Sequence, residues 1–516
     1  MLFLPAPAHP CQKSWSQRTY TRLLRLVAGD RSISNAITIP TIGTSVQRPW
    51  NQCCTAVYQS SVVGRNRNPS TGQSAMWKMP LNQRVNSHRM TTTTRGAPSA
   101  RIANRQGMRD SGSAVETLTI LPAVFAPEAS MRVIPLFSIA VLALLVASCA
   151  TAPPRPTPRI ERIEFARAGT DGVHGFRTPS LAVARDGTLI AGYSALLHSE
   201  NDLPNDIQVW VRSSHDDGLH WSAPQRLTHP AGGAGSSDTS LLVDRDTGRV
   251  FLFYNYGPPG IGFWNSAAGT APTRTLHPRY LWSDDDGRTW LGPRDLLTTV
   301  KQPGWHGLFT ASGNGVQLQA GPHRGRLLQP LVYRLADGRI HAANIYSDDH
   351  GKTWHVGASI GANLDESKAV QLANGEVMQN LRSDDAHVHA RVVALSHDGG
   401  VHFGSPRVDK QLPDPHVNAS SIRAEPQASA SRAASHWLLF SNPADPAQRR
   451  NLTVRLSCDD GKTWAASRVL DPGPSMYSVM ARLPDGDFGI IWEDGSGDLF
   501  YARFNLAWVA RGAPCG

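Results

Sequence analysis

One phrase, Ser-x-Asp-x-Gly-x-(Thr)-Trp, recurs five times along this 516-residue chain. It reads Ser214-His-Asp216-Asp-Gly218-Leu-His-Trp221, Ser283-Asp-Asp285-Asp-Gly287-Arg-Thr-Trp290 and Ser347-Asp-Asp349-His-Gly351-Lys-Thr-Trp354. It returns as Ser396-His-Asp398-Gly-Gly400-Val-His-Phe403 and Ser457-Cys-Asp459-Asp-Gly461-Lys-Thr-Trp464. The serines stand 69, 64, 49 and 61 residues apart. Such recurrence means one supersecondary unit used repeatedly, and the interval holds about four short strands with their turns. An Asp carboxylate accepts backbone N–H bonds and a Gly takes a positive φ, so each phrase predicts a stapled hairpin with the aromatic packed back under the turn.

The rest of residues 160–511 agrees. Short apolar or alternating runs such as Thr188–Tyr193, Val250–Tyr254, His436–Phe440 and Phe488–Trp492 are separated by Asp-Gly or Asn-Gly turns. No helix-length amphipathic run interrupts them. The expected fold class is all-β, a six-bladed β-propeller of about 59 residues per blade, with a disordered or spurious N-terminal extension.

The net charge of +10 suggests an acidic partner. Its distribution removes that reading. Residues 1–130 hold 15 Lys and Arg against 4 Asp and Glu, and the remainder holds 36 against 37. The main domain is close to neutral, and no nucleic-acid partner is expected. Residues 1–130 lack periodicity and read as a start-site error or a disordered arm. Residues 131–149 have one early Arg, an apolar stretch and small residues before Cys149, the pattern of a secretory signal peptide. Val146-Ala-Ser-Cys149 resembles a bacterial lipobox, which implies a lipid on Cys149 and export to the bacterial outer membrane, periplasm or cell surface. Residues 150–159, rich in Pro and Thr, form a tether. In an exported protein Cys458 and Cys515 can pair. His387-Val-His389 reads as solvated, and no metal or cofactor is expected.

The repeated phrases resemble the Asp boxes of sialidases, which speak for fold and not for activity. Other segments extend the resemblance. Phe176-Arg177-Thr-Pro179 resembles the Phe/Tyr-Arg-Ile-Pro signature, with Thr178 in place of Ile. Asn201-Asp202-Leu-Pro-Asn-Asp206 precedes the first box where the family carries its acid/base Asp. Leu364-Asp-Glu366 and Leu381-Arg382-Ser383 resemble the Asn-Glu and Arg-Ser segments. Arg449-Arg450 and Met476-Tyr477 resemble the third-arginine and nucleophile segments. The order is right over 160–511, and the whole is similar to a bacterial exo-sialidase domain.

The resemblance implies Asp202, Glu366 and Tyr477 as catalytic residues and Arg177, Arg382 and Arg449 as ligands of the substrate. The chemistry suits the residue types. Three guanidiniums bind the carboxylate of a sialic acid better than lysines would. A phenol avoids the like-charge clash a carboxylate nucleophile would meet, and a neighbouring carboxylate can take its proton. Asp206 rivals Asp202, Arg450 rivals Arg449, and Asp365 beside Glu366 is read as a loop residue. The expected partners are sialylated glycans, glycoproteins or glycolipids, and a membrane through the lipid anchor, with the protein a monomer. The implied activity is retaining hydrolysis of terminal sialic acids through a tyrosyl-enzyme. The alternatives are a non-catalytic propeller that binds glycan or protein, or sialic acid transfer at the same site.

Overall fold

A computed structural model describes residues 156–426, 431–512 and Cys515. The readings made for residues 1–130 and 131–149, Cys149 included, lie outside the described residues. Six sheets form the blades; four have four strands, and the second and third carry extra short pieces that make five and six. The first is Gly175–Val183, Leu189–Leu196, Ile207–Ser214 and Gln225–Arg226. The second begins with Gly235–Val243, and the fourth with Leu364–Gln371 and Val377–Ser383. The fifth begins with Ser420–Arg423. The third has a broken inner strand, whose Gly313–Asn314 piece pairs in parallel with Ser240 and Leu241 of the second blade. The apolar core lies between neighbouring blades. Leu483, Ile491 and Tyr501 of the sixth pack with Leu181, Tyr193 and Trp210 of the first.

The sixth blade explains why six blades carry five boxes. Its strands Ser478–Arg482, Phe488–Glu493 and Leu499–Phe504 are completed by Ile160–Ala166 from the other end of the domain. Ile160 pairs with Phe504 and Glu164 with Phe500. Each box bridges the third and fourth strands of a blade. In the sixth blade those two strands are not consecutive, so no hairpin exists there to staple.

The boxes behave as expected. Each Ser Oγ donates to its Asp Oδ1 at 2.8 Å and accepts from the Gly N–H at 2.8–2.9 Å. Oδ1 also accepts the N–H four residues on, from His220, Thr289, Thr353, His402 or Thr463. The Gly is required twice. Its φ lies between 78° and 88°, and it abuts the preceding blade: a Cβ on Gly351 would lie 2.3 Å from Phe251 Cζ, and one on Gly218 2.3 Å from Tyr501. The aromatic does the same work, as Trp354 meets Phe251 and Phe253 edge-on. Cys458 and Cys515 are bonded, with Cα atoms 5.4 Å apart.

Candidate active site

Box hairpins occupy one face, so the first strand of each blade starts at the opposite face. There three inner strands depart from regular pairing. Register shifts fall between Arg177 and Ser180, between Ser237 and Ser240, and between Leu364 and Ser367. An extra residue in a strand re-aims its side chains. The bulges contain or adjoin Arg177, Asp238, Asp365 and Glu366. Thr178 and Asp238 take positive φ values of 49° and 61° there.

Tyr477, at the entrance to the sixth blade, donates its hydroxyl hydrogen to Glu366 Oε2 at 2.5 Å. Arg382 Nη1 donates to the same Oε2 at 2.9 Å and to Tyr477 Oη at 3.1 Å. Three residues 16 to 111 positions apart thus close one triangle. Burial and the adjoining Glu366 hold the Tyr477 phenol well above its ordinary range, opposed by Arg382 and Arg449. Burial also raises the Glu366 carboxyl, opposed chiefly by Arg382.

Arg177 donates from Nη1 to Asp202 Oδ1 at 2.8 Å and to the Glu200 carbonyl at 3.1 Å. Its Nε lies 3.8 Å from Glu493 Oε2. Asp202 is well exposed, on the loop between the second and third strands of its blade. Arg177 and Asp202 line a cavity of about 330 Å³ with Met476 and Glu493. Arg449 donates to the His416 carbonyl at 2.7 Å and pairs with no carboxylate among the described residues. Its charge acts on both Tyr477 and Glu493. All six residues expected at the site therefore meet at one face.

The rivals separate. Arg450 turns outward to Asp445 at 2.6 Å, and Asp206 lies 3.2 Å from His198. One reading is corrected: Asp365 is not a loop residue. It sits in the strand Leu364–Gln371, is buried, and faces Arg382 Nε at 3.4 Å. The bulge allows Asp365 and Glu366 both to point at one arginine.

Sequence reasoning missed Asp238 and Glu493. Glu493 is buried and accepts the Thr178 N–H at 2.7 Å. Loss of solvent pushes its carboxyl up to about 7, opposed by Arg177. Asp238 is likewise pushed up to about 7, by desolvation and then by Asp202 and Glu366. Both left a trace: Glu493 ends the apolar run Phe488–Trp492, and Asp238 sits in the polar run Ser236–Ser240 of an inner strand. The group of metal-ligating side chains found among the described residues, Asp244, Asp246 and His350, lies at the box face. There Asp244 already accepts from Gln317, Thr247 and His350.

Fold and cleft together define a six-bladed Asp-box propeller with a buried Tyr–Glu pair ringed by arginines. Residues 187–490 match the BNR repeat-like domain family. A sialidase of Micromonospora viridifaciens is 42% identical over 367 residues, covering 70% of this chain and 56% of the relative. Sialidase-2 of Cricetulus griseus is 30% identical over 360 residues, covering 65% of this chain and 93% of the relative. Among solved structures, Hadza microbial sialidase Hz136 superposes with a TM-score of 0.62 at 30% identity, over 67% of this chain and 69% of that one. The chain belongs to the sialidase family of BNR-repeat propellers. It spans 56% of the Micromonospora relative and 64% of a Bacteroides fragilis sialidase.

Proposed function

We propose that this protein is an exo-α-sialidase that hydrolyses terminal sialic acids from glycoconjugates with retention of configuration. The observation that carries the reading is the Tyr477–Glu366 hydrogen bond of 2.5 Å with Arg382 touching both partners. A buried phenol is a poor nucleophile until a base takes its proton. Glu366 takes that proton as Tyr477 Oη attacks the anomeric carbon. Arg177, Arg382 and Arg449 bind the carboxylate that the same carbon carries. Asp202, on a solvent-facing loop, protonates the departing glycosidic oxygen. Its carboxylate then takes a proton from the water that cleaves the tyrosyl-enzyme, and Glu366 returns its proton to Tyr477. Two displacements at one carbon give retention.

The test uses a fluorogenic sialoside and proton NMR of the first product. Free sialic acid should be released first as the α-anomer. Asp202→Ala should lower turnover by about 10²–10⁴-fold, and Arg382→Ala should abolish substrate binding. A wild-type protein that binds sialosides and turns none over would establish a binding propeller instead.

Residues 131–149 are proposed to export the protein and leave Cys149 lipidated. Mass spectrometry of native protein should find an acylated N-terminus at Cys149, and peptides from residues 1–130 would refute that.

A further inference from the structure

Glu366 divides its work between two oxygens. Oε2 receives Tyr477 and Arg382. Oε1 is left to Asn418 Nδ2 at 3.3 Å and Ser312 Oγ at 3.5 Å. An asparagine amide could present either its oxygen or its NH2 group, and only the NH2 group suits a carboxylate. The orientation is settled by Lys368. Its Nζ donates to Asn418 Oδ1 at 2.8 Å, and the Ala419 N–H donates to the same oxygen at 2.9 Å. The Asn418 NH2 group is thereby turned to Glu366 and to Ser312.

Lys368 is an expensive residue to bury. It is 2% exposed, and no carboxylate lies within ion-pair distance of it among the described residues. Its other partners are the Ser312 and Ser367 carbonyls. An apolar side chain would fill that space at lower cost. The chain also makes room for it, since a Cβ on Gly313 would lie 2.6 Å from Lys368 Cε.

We infer that Asn418 and Lys368 are positioning residues that keep Glu366 a carboxylate and aim its Oε2 at Tyr477. The inference rests on the sialidase reading above. Its electrostatics are consistent. Burial raises the Glu366 carboxyl most and Asp365 on the same strand adds to it, while Arg382, the Tyr477 hydroxyl and Lys368 lower it. Further off, Asp238 and Glu493 repel the Glu366 charge, and Arg391 attracts it. Burial pushes the Lys368 ammonium down to about 7, with Glu366 opposing and Arg391 reinforcing the shift. Lys368 and Glu366 each help the other stay charged.

The experiment compares pH profiles of kcat/KM for wild type, Asn418→Asp and Lys368→Met on a fluorogenic sialoside. Asn418→Asp keeps the shape and the Lys368 contact but turns the donor facing Glu366 into an acceptor. The acid limb should move up by about one pH unit in each variant. On that acid limb kcat should fall by up to about tenfold and recover as the pH is raised. The inhibition constant of free sialic acid should stay within about twofold, because the arginines are untouched. Folded variants with an unmoved acid limb, or with turnover that no pH restores, overturn the inference and leave the sialidase reading standing. A wild type inert on sialosides overturns both. Should Lys368→Met fail to fold, Asn418→Asp decides alone.

Discussion

The two faces of this propeller treat the same chemical group in opposite ways. On the box face the carboxyls of Asp216, Asp285, Asp349 and Asp398 are held down to about 2. Partial loss of solvent works against ionisation at Asp216, Asp349 and Asp398, but bonds from Ser, Thr, His and backbone N–H donors outweigh it. At Asp285 the bond from Thr289 is the largest influence. In the cleft Glu493 and Asp238 are pushed up to about 7, because desolvation and neighbouring carboxylates outweigh the arginines. The difference is one of supply. A turn offers several donors to one carboxylate, whereas the cleft asks three arginines to serve Asp202, Asp238, Asp365, Glu366 and Glu493. With all eight groups ionised the cleft would be net negative and would repel an anionic sugar. Carboxyls that keep their protons near neutrality relieve that repulsion. Box chemistry fixes shape, and cleft chemistry stores reactivity.

The largest effect should come from separating the two faces outright. Tyr477→Phe should lower kcat about 10³-fold or more with an unchanged melting temperature; a variant within tenfold of wild type would remove the phenol from the mechanism. Gly351→Ala should do the reverse. Its Cβ would meet Phe251 at 2.3 Å, so denaturant melts should show a loss of about 3 kcal/mol, with activity per folded molecule retained. Asp349→Ala strips three donors of their acceptor and should cost about 1–2 kcal/mol by the same measurement, again sparing activity.

The smallest effect is the most discriminating. Between about pH 4 and about pH 7 the folded cleft binds protons at Asp238 and Glu493 that the unfolded chain has released. Stability should therefore fall as pH rises through that window. The box aspartates act at the other end: their contribution is complete above about pH 4 and is lost as pH falls toward about 2. Thermal melts across this range should show a maximum on the acid side of neutrality. Glu493→Gln should flatten the neutral limb and leave the acid limb, and the opposite pattern would break the contrast between the faces.

Much of this was legible in the chain. The boxes and their turns announced a propeller, since a Ser-x-Asp-x-Gly turn closes on contacts within four residues. Arg177, Arg382, Arg449, Tyr477, Glu366 and Asp202 were singled out because each stands in a short segment with a family resemblance. Asp365 was misjudged because a bulge breaks the strand alternation that would send adjacent side chains apart. Asp238 and Glu493 went unnoticed because their significance depends on partners distant in sequence: Asp238 lies 128 positions from Glu366, and Glu493 meets the Thr178 amide across 315 positions.

The sequence by itself determined the hairpins, the repeat and the neutral character of the main domain, because those follow from contacts and composition that are local to the chain. Only the tertiary structure decided that Ile160–Ala166 closes the ring, that Arg449 and not Arg450 faces the cleft, and that Lys368 sets the Asn418 amide. Those outcomes follow from radial closure. It brings the first strands of six blades to one axis, where desolvation and charges from distant segments, rather than any residue's own neighbours in sequence, govern what each side chain does.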